Sequence, residues 1–154
     1  MNPNREQLIR DAISEVLEAM FFVSVDFLEP TQIRASSFPC CSTIQLRCNT
    51  ECVEIGIAVT EAFGKMIAAN FLGIEETQVK SEELEDVLKE LANMSGGNYL
   101  SRTDSGNWEL GIPSSRKLSE SSDTFLRGVP MDTMGEPAGL VFIEITPIHP
   151  ITRA

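Results

Sequence analysis

The sequence has few basic residues and a single histidine. Its 154 residues contain 12 Lys plus Arg against 23 Asp plus Glu, which gives a formal net charge of −11. Nucleic-acid binding needs a basic surface that neutralises phosphates, so we expect no nucleic-acid partner. His149 lies in a proline-flanked segment, PIHPITRA, near the C-terminus. A hydrolase built on a Ser/His/Asp triad is therefore a poor interpretation.

Long apolar runs are also missing. No segment approaches the roughly 20 apolar residues that a membrane-spanning helix requires. The N-terminal sequence MNPNREQLIRD has no basic segment followed by an apolar stretch, which argues against a secretory signal. We therefore expect a cytoplasmic protein with no membrane partner. A hydrophobic content of 42% and this length favour one domain, residues 1–154, with its own core.

The four cysteines occur within one short part of the chain, and none belongs to a C-x-x-C pair. They are Cys40, Cys41, Cys48 and Cys52. This spacing is a weak signal for zinc, and the reducing conditions of the cytoplasm disfavour disulfides. We expect reduced structural thiols and no bound metal.

Three segments have the periodicity or the flanking signals of helices. Residues 5–20 place apolar side chains at three-and-four spacing, as one face of an amphipathic helix requires. A second helix is expected over residues 60–72, with Gly73 as its stop signal. A third begins at about Ser81, where acidic residues follow and favour the positive end of the helix dipole.

Strands are predicted between these helices. STIQLRC at 42–48 and VEIGIAVT at 53–60 alternate in polarity and are joined by a short connection, which indicates a hairpin. The remaining predicted strands lie in the segments FFVSVDFLEP, NWELGIP, DTFLRGVP and AGLVFIEIT. A loop rich in Ser, Pro and Cys is expected between Pro30 and the strand at 42–48 (31–41), and a Ser-rich loop is expected at 114–122. A turn is expected at GEP, so that three strands follow the first helix and three follow the third.

The predicted order contains a repeat. DAISEVLEAMFF, starting at Asp11, aligns without a gap on DVLKELANMSGG, starting at Asp86, at an offset of 75 residues. We expect two similar halves, residues 5–60 and 81–146, joined by the helix at 60–72. The fold class is α/β of the α+β kind. A mostly antiparallel sheet is expected, with pseudo-twofold symmetry and the two repeated helices packed on one face.

A polar stripe runs along the third helix, opposite its apolar face. At about 100° per residue, Asp86, Glu90, Asn93 and Gly97 fall on one side of the helix. Asn and Gly both disfavour a helix interior, so stability does not account for them. Two simpler interpretations compete: the acids are ordinary solvated residues, and the Gly96–Gly97 pair ends the helix.

The stripe suggests a chemistry that needs no base. An amide donates and accepts hydrogen bonds and can orient a water molecule for attack on a phosphoryl group. The neighbours of Asn93 are acids, so this chain supplies no cation to neutralise a phosphate. Mg²⁺ and a lysine would have to come from the molecule that carries the phosphate, which indicates a phosphorylated protein.

The pattern Asp86-x-x-x-Glu90-x-x-Asn93, followed by Pro113, resembles the signature of the CheC, CheX and FliY chemotaxis phosphatases. The ELANMSGGN run is most similar to the CheX branch. The resemblance implies hydrolysis of the phosphoaspartate on a CheY-like receiver, with Mg²⁺ bound by the receiver and no cofactor in this chain. It implies Asn93 and Glu90 as catalytic residues, the amide orienting water and the acid pairing with the receiver lysine.

The resemblance further implies partner contacts at Asp86, Gly97 and Pro113, although Pro113 follows Asn93 more closely than the family pattern predicts. In the first half, Glu18 aligns with Asn93, and Phe21 and Phe22 align with the two glycines. A carboxylate would repel the phosphoryl group and the aromatic rings would fill the open space. We therefore expect one active site, with the first helix kept for packing or, as the alternative, for contact with a partner.

Two matters stay open at this point. One alternative function is a non-catalytic adaptor that binds a receiver domain or a flagellar motor-switch component without turnover. The resemblance also implies a homodimer, for which the region 107–130 offers an edge strand.

Overall fold

The computed structural model describes residues 3–34, 37–103, 106–117 and 125–148. Its helices are α1 (Pro3–Phe21), α2 (Glu61–Leu72) and α3 (Ser81–Ser101), with a short 3₁₀ helix at Glu76–Gln78. Its strands are β1 (Asp26–Phe27), β2 (Thr31–Arg34), β3 (Cys40–Arg47), β4 (Glu51–Val59), β5 (Glu109–Leu110), β6 (Ser114–Lys117), β7 (Phe125–Thr133) and β8 (Glu136–Pro147).

The strands form one sheet in the order β1-β7-β8-β4-β3-β5, with β2 also paired to β7 and β6 also paired to β3. Each of these pairs is antiparallel. The two long central strands β4 and β8 run side by side, with Ile55 opposite Ile143. This arrangement confirms the predicted fold class.

The edge strands are exchanged across the centre of the sheet. Strands β1 and β2 precede β3 in the chain but pair with β7, whereas β5 and β6 precede β7 but pair with β3. The sheet therefore has the same arrangement on both sides of the β4–β8 pair. The exact limits of the two proposed halves stay a prediction.

The main core lies between the sheet and the helices. Alternate residues of the central strands point to the helices, as the two-residue repeat of a strand requires. Those with no exposed surface are Ile44, Leu46, Val53, Ile55, Ile57 and Val59. A smaller cluster, Phe38, Cys41, Ala58, Leu140 and Phe142, forms a second group of buried side chains. Apolar side chains are therefore buried on both faces of the central strands.

The predicted helices and the central hairpin are confirmed. Thr60 caps α2 through its hydroxyl, which accepts a hydrogen bond from the Phe63 N–H at 3.1 Å. Gly73 ends the same helix at φ 70°, a left-handed conformation that suits glycine. Strands β3 and β4 are joined by a tight turn, closed by the hydrogen bond from Cys48 N–H to the Glu51 carbonyl at 3.0 Å.

Several predictions about the edges of the sheet are wrong. Only residues 26–27 of FFVSVDFLEP form a strand, and the expected loops at 31–41 and 114–122 contain β2 and β6. Four strands, not three, therefore follow α1 and α3. The expected GEP turn lies one residue earlier, at Met134–Gly135. Short edge segments have little hydrophobic alternation of their own, so pairing with β7 or β3 decides their conformation.

The four cysteines are thiols, with Cys41 buried and the others partly buried. Within residues 3–34, 37–103, 106–117 and 125–148, no group of three or more His, Cys, Asp or Glu side chains could hold a metal ion. None of the helices in these ranges is long and apolar enough to cross a membrane. His149 lies outside the described residues.

Candidate functional site

Helix α3 presents two faces of opposite character. Leu84, Leu88 and Leu91 are buried against the core. Asp86 and Glu90 are exposed on the other side of the helix. Asn93 and Gly97 are half-buried, so they lie on the shoulder of the polar stripe. The predicted stripe therefore does face away from the core, and the helix geometry brings Asp86, Glu90, Asn93 and Gly97 together on one surface.

The Asn93 side-chain amide can form new hydrogen bonds with a partner. Its side chain makes no hydrogen bond to any residue that the structure describes. It also lies on the half-buried shoulder of the α3 polar stripe. An amide in this position cannot enclose a small substrate. It can enter a pocket on another macromolecule, where its N–H₂ and C=O groups would contact a water molecule.

The two acids of the stripe, Asp86 and Glu90, differ in whether they have an ion-pair partner. The Asp86 carboxylate lies 3.9 Å from the Lys89 ammonium, but its side chain is 79% exposed, so the pair contributes little stability. Glu90 forms no ion pair with the described residues. Its charge is therefore free to meet a cation that another molecule provides. This electrostatic character repels a free phosphate and favours a partner that carries its own cations.

The two glycines do not end the helix. Helix α3 continues to Ser101, so the interpretation of Gly96–Gly97 as a C-terminal cap is wrong. A Cβ atom on Gly96 would lie 3.0 Å from Leu110 Cδ1 and 3.2 Å from Ile44 Cγ2. Gly96 therefore allows α3 to pack closely on the sheet. A Cβ atom on Gly97 would have no neighbour within 4 Å, so packing inside this chain does not require that glycine.

Pro113 lies in the connection between β5 and β6, which both contact α3. The connection is held to β3 by the hydrogen bond from the Gly111 N–H to the Gln45 carbonyl at 2.7 Å. Leu110, at its start, packs at Gly96. The structure thus places Pro113 in a segment beside α3.

The same connection contains an exposed apolar residue that sequence reasoning missed. Ile112 is 92% exposed and directly precedes Pro113. Isolated exposed apolar side chains are common on protein surfaces, so exposure alone does not mark a functional residue. In the sequence, the one signal for Ile112 was its position beside a proline.

The sequence matches the model of a known protein family. Residues 41–123, more than half of the chain, match the family model described as chemotaxis phosphatase CheX. The chain belongs to the CheX family. The matched range includes the whole of α3 and the β5–β6 connection, so it covers every residue of the candidate site. No protein of curated function matches this CheX-family sequence.

Solved structures show the same fold. The chemotaxis protein CheX from Vibrio vulnificus is 15% identical, with a TM-score of 0.73 over 93% of this chain and 99% of that one. A CheC-like superfamily protein from a Shewanella species is 18% identical, with a TM-score of 0.74 over 95% and 99%. The CheX in the CheX–CheY–BeF₃–Mg²⁺ complex from Borrelia burgdorferi is 18% identical, with a TM-score of 0.69 over 90% and 96%.

In this CheX-family chain, the first helix is tied to α3 by polar contacts that sequence reasoning missed. The Asn98 amide donates hydrogen bonds to the Ala12 carbonyl at 3.1 Å and to Glu15 Oε1 at 3.5 Å. The Arg102 guanidinium forms an ion pair with the Glu15 carboxylate. Glu15 aligns with Glu90 in the proposed repeat. At these aligned positions, Glu90 on α3 has no ion pair with the described residues, whereas Glu15 on α1 is paired with Arg102.

The sequence predicts that both aromatic residues at the end of α1 fill the space beside the helix, but only one of them does. Phe21 is buried and stacks on Phe71, with ring centroids 4.9 Å apart. Phe22 lies beyond the helix end at φ 57° and is 73% exposed. Helix α1 ends at Phe21, which aligns with Gly96, whereas α3 continues past its two glycines to Ser101. The two helices therefore present different surfaces.

A buried tyrosine anchors the C-terminal part of α3. Tyr99 is 3% exposed, and this burial raises the pKa of its phenol above the ordinary value. The nearby Arg5 guanidinium opposes that shift, and Arg5 is itself paired with Glu51 at 2.6 Å. These contacts join α1, α3 and the start of β4. They hold the end of the site helix in place without reaching its polar stripe.

Proposed function

We propose that this chain hydrolyses the phosphoaspartate of a CheY-like receiver domain in the cytoplasm, using Asn93 to orient the attacking water. The observation that carries the proposal is the position of the Asn93 amide. Its side chain has no hydrogen bond to the described residues and lies on α3 between the acid Glu90 and the open space at Gly97. Membership of the chemotaxis phosphatase family CheX supports the same chemistry.

The proposed reaction divides the work between the two proteins. Phosphoryl transfer requires alignment of the nucleophile and neutralisation of charge on the phosphoryl oxygens. Lys89, the cation beside the α3 stripe, lies 3.9 Å from the Asp86 carboxylate, so Mg²⁺ and a lysine on the receiver would neutralise the charge on the phosphoryl oxygens. Asn93 would hold the water in line with the phosphorus–oxygen bond that breaks. The products would be inorganic phosphate and the free aspartate.

Glu90 would secure the receiver rather than act on water. Its carboxylate has no ion pair with the described residues and would pair with the lysine that the receiver contributes, because charge-assisted contacts of this kind fix orientation. The complex of a related CheX with CheY, BeF₃ and Mg²⁺ supports binding to a receiver that carries its own metal. Gly97 would leave room for the receiver surface, and Asp86 and Pro113 would contact it at the margins. We add Ile112 to these contacts because of its exposure.

The test measures phosphate release from a CheY-like receiver that has been phosphorylated with a small donor in Mg²⁺. Asn93→Ala is expected to slow the catalysed release by roughly 100-fold, because orientation of the water is lost. Gln7→Ala removes an exposed amide from α1, outside the stripe, and should behave as wild type. Release at the wild-type rate by a folded Asn93→Ala variant would overturn the proposal.

The same experiment separates the enzyme from the adaptor. If the phosphorylated receiver binds the wild-type chain but decays at its uncatalysed rate, the chain is a non-catalytic partner. We further propose a homodimer that pairs through an edge strand within 107–130. Light scattering after size-exclusion chromatography tests this, and a monomer at micromolar concentration would contradict it.

A further inference from the structure

An apolar groove lies away from the α3 stripe. It is formed by the segment after α1, the face of α2 and the turn between β7 and β8, and it has a cavity volume of about 650 Å³. Its apolar lining consists of Phe22, Val23, Ala62, Phe63, Met66, Met134 and Pro137. No residue of α3 contributes to it. The groove is therefore separate from the proposed receiver site.

Two apolar residues of the groove occupy backbone positions that do not favour them. Phe22 has φ 57° and is 73% exposed, while Met134 has φ 51° and is 96% exposed. Both values fall in the left-handed region, where Gly or Asn is ordinarily found. Met134 and Gly135, at φ 80°, are the central residues of the β7–β8 turn, for which Asn-Gly is the favoured pair. Burial within this chain does not offset that unfavourable conformation at Met134.

The polar rim of the groove is acidic. Glu76 and Glu136 are exposed at its edge, and no Lys or Arg among the described residues lines it. The whole chain carries a formal net charge of −11, so a second copy would bring further negative charge to this rim. Electrostatic complementarity favours an occupant with apolar side chains flanked by Lys or Arg.

One segment outside the described residues does not fit this chemistry. Residues 118–124, LSESSDT, contain two acids and no base, so the acidic rim would repel them.

We propose that this groove docks a segment of a partner protein that presents bulky apolar side chains flanked by Lys or Arg. Phe22 and Met134 would close over the apolar side chains from opposite sides of the groove, as in the binding of an amphipathic helix. Glu76 and Glu136 would pair with the flanking cations. The contact is independent of the phosphatase proposal, because it uses neither Asn93 nor Glu90.

The experiment uses the full chain and a fluorescein-labelled amphipathic peptide with Leu at positions i, i+3, i+4 and i+7 and Lys elsewhere. Fluorescence anisotropy should show saturable binding. Phe22→Asn combined with Met134→Asn should weaken it at least about tenfold, since hot-spot side chains dominate such contacts. Asn suits both backbone conformations, so the melting temperature of the double variant should not fall. Loss of binding then cannot be attributed to unfolding.

Two controls keep the result specific. Ile112→Asn removes an equally exposed apolar side chain outside the groove and should leave peptide binding unchanged. A peptide with Glu in place of every Lys should not bind. Equal binding of the Glu peptide, or binding that the double variant does not weaken, would overturn the proposal. Self-association of the wild-type chain that the double variant abolishes would also overturn it, because the occupant would then be a second copy.

Discussion

Gly96 of α3 and Leu110 of β5 are packed so closely that a methyl group on the glycine would lie 3.0 Å from Leu110 Cδ1. Leu110 is 39% exposed on a two-residue strand and can move, whereas the neighbouring Ile44 is fully buried. We predict that Gly96→Ala lowers the free energy of unfolding by about 1 kcal/mol, because overpacking outweighs the gain in helix propensity. Urea denaturation measures the change. A variant more stable than wild type would contradict it.

Gly97 provides the matched comparison. Its position has no atom within 4 Å of an added Cβ, so Gly97→Ala should raise the free energy of unfolding by about 1 kcal/mol through helix propensity. If the receiver occupies this space, the same variant should dephosphorylate it more slowly despite its greater stability. Parallel measurements of denaturation and phosphate release test both effects. A stabilised variant with wild-type turnover would show that the receiver does not need the space.

Glu90 and Asp86 should differ in their effect on the receiver reaction. Glu90→Gln removes a charge that has no partner in the described chain, so we expect KM to rise by roughly tenfold and to depend less on salt. Asp86→Asn removes an exposed charge that already lies near Lys89, so its effect should be smaller. Steady-state kinetics at two ionic strengths compare the variants. Equal effects, or none, would argue against pairing between Glu90 and the receiver lysine.

Asn98 should contribute more to stability than the ion pair beside it. Asn98→Ala removes hydrogen bonds to Ala12 and Glu15 and should lower the free energy of unfolding by about 1 kcal/mol. Glu15→Gln should cost less than about 1 kcal/mol, since the Glu15 side chain is 59% exposed in its pair with Arg102. Urea denaturation measures both variants. The reverse order would indicate that the ion pair, not the amide, holds α1 against α3.

Tyr99 should make the fold less stable at high pH. Burial raises the pKa of its phenol in the folded state, so the folded chain disfavours the phenolate. The contribution of Tyr99 to stability is therefore fully present below the unfolded pKa of about 10 and decreases as the pH rises through the folded pKa. Tyr99→Phe should remove this part of the pH dependence.

The ionisation of Tyr99 can be measured without interference from another tyrosine. Tyr99 is the one tyrosine in the sequence, so tyrosinate absorbance reports its ionisation alone. Titration of the folded chain should give a pKa above that of the chain unfolded in urea. Coincident titration curves would contradict the predicted shift.

The sequence alone determined the features that depend on local spacing. The alternation in β3 and β4 placed Ile44, Ile55 and Ile57 in the core because strand side chains alternate between the two faces. The helical repeat of α3 placed Asp86 and Glu90 on the exposed side for a similar geometric reason. The resemblance to the chemotaxis phosphatases rested on this stripe, and the CheX family match supports it.

Only the tertiary structure decided the features that depend on distant parts of the chain. Strands β2 and β6 exist because β7 and β3 pair with them, and their own residues do not predict this. Gly96 packs on a strand that follows it by many residues, so a sequence pattern could not separate packing from capping. Glu15 and Arg102 likewise form their ion pair only after folding, and Phe22 and Met134 line the same groove only in the folded chain. Long-range packing sets these contacts, and local propensity carries no information about it.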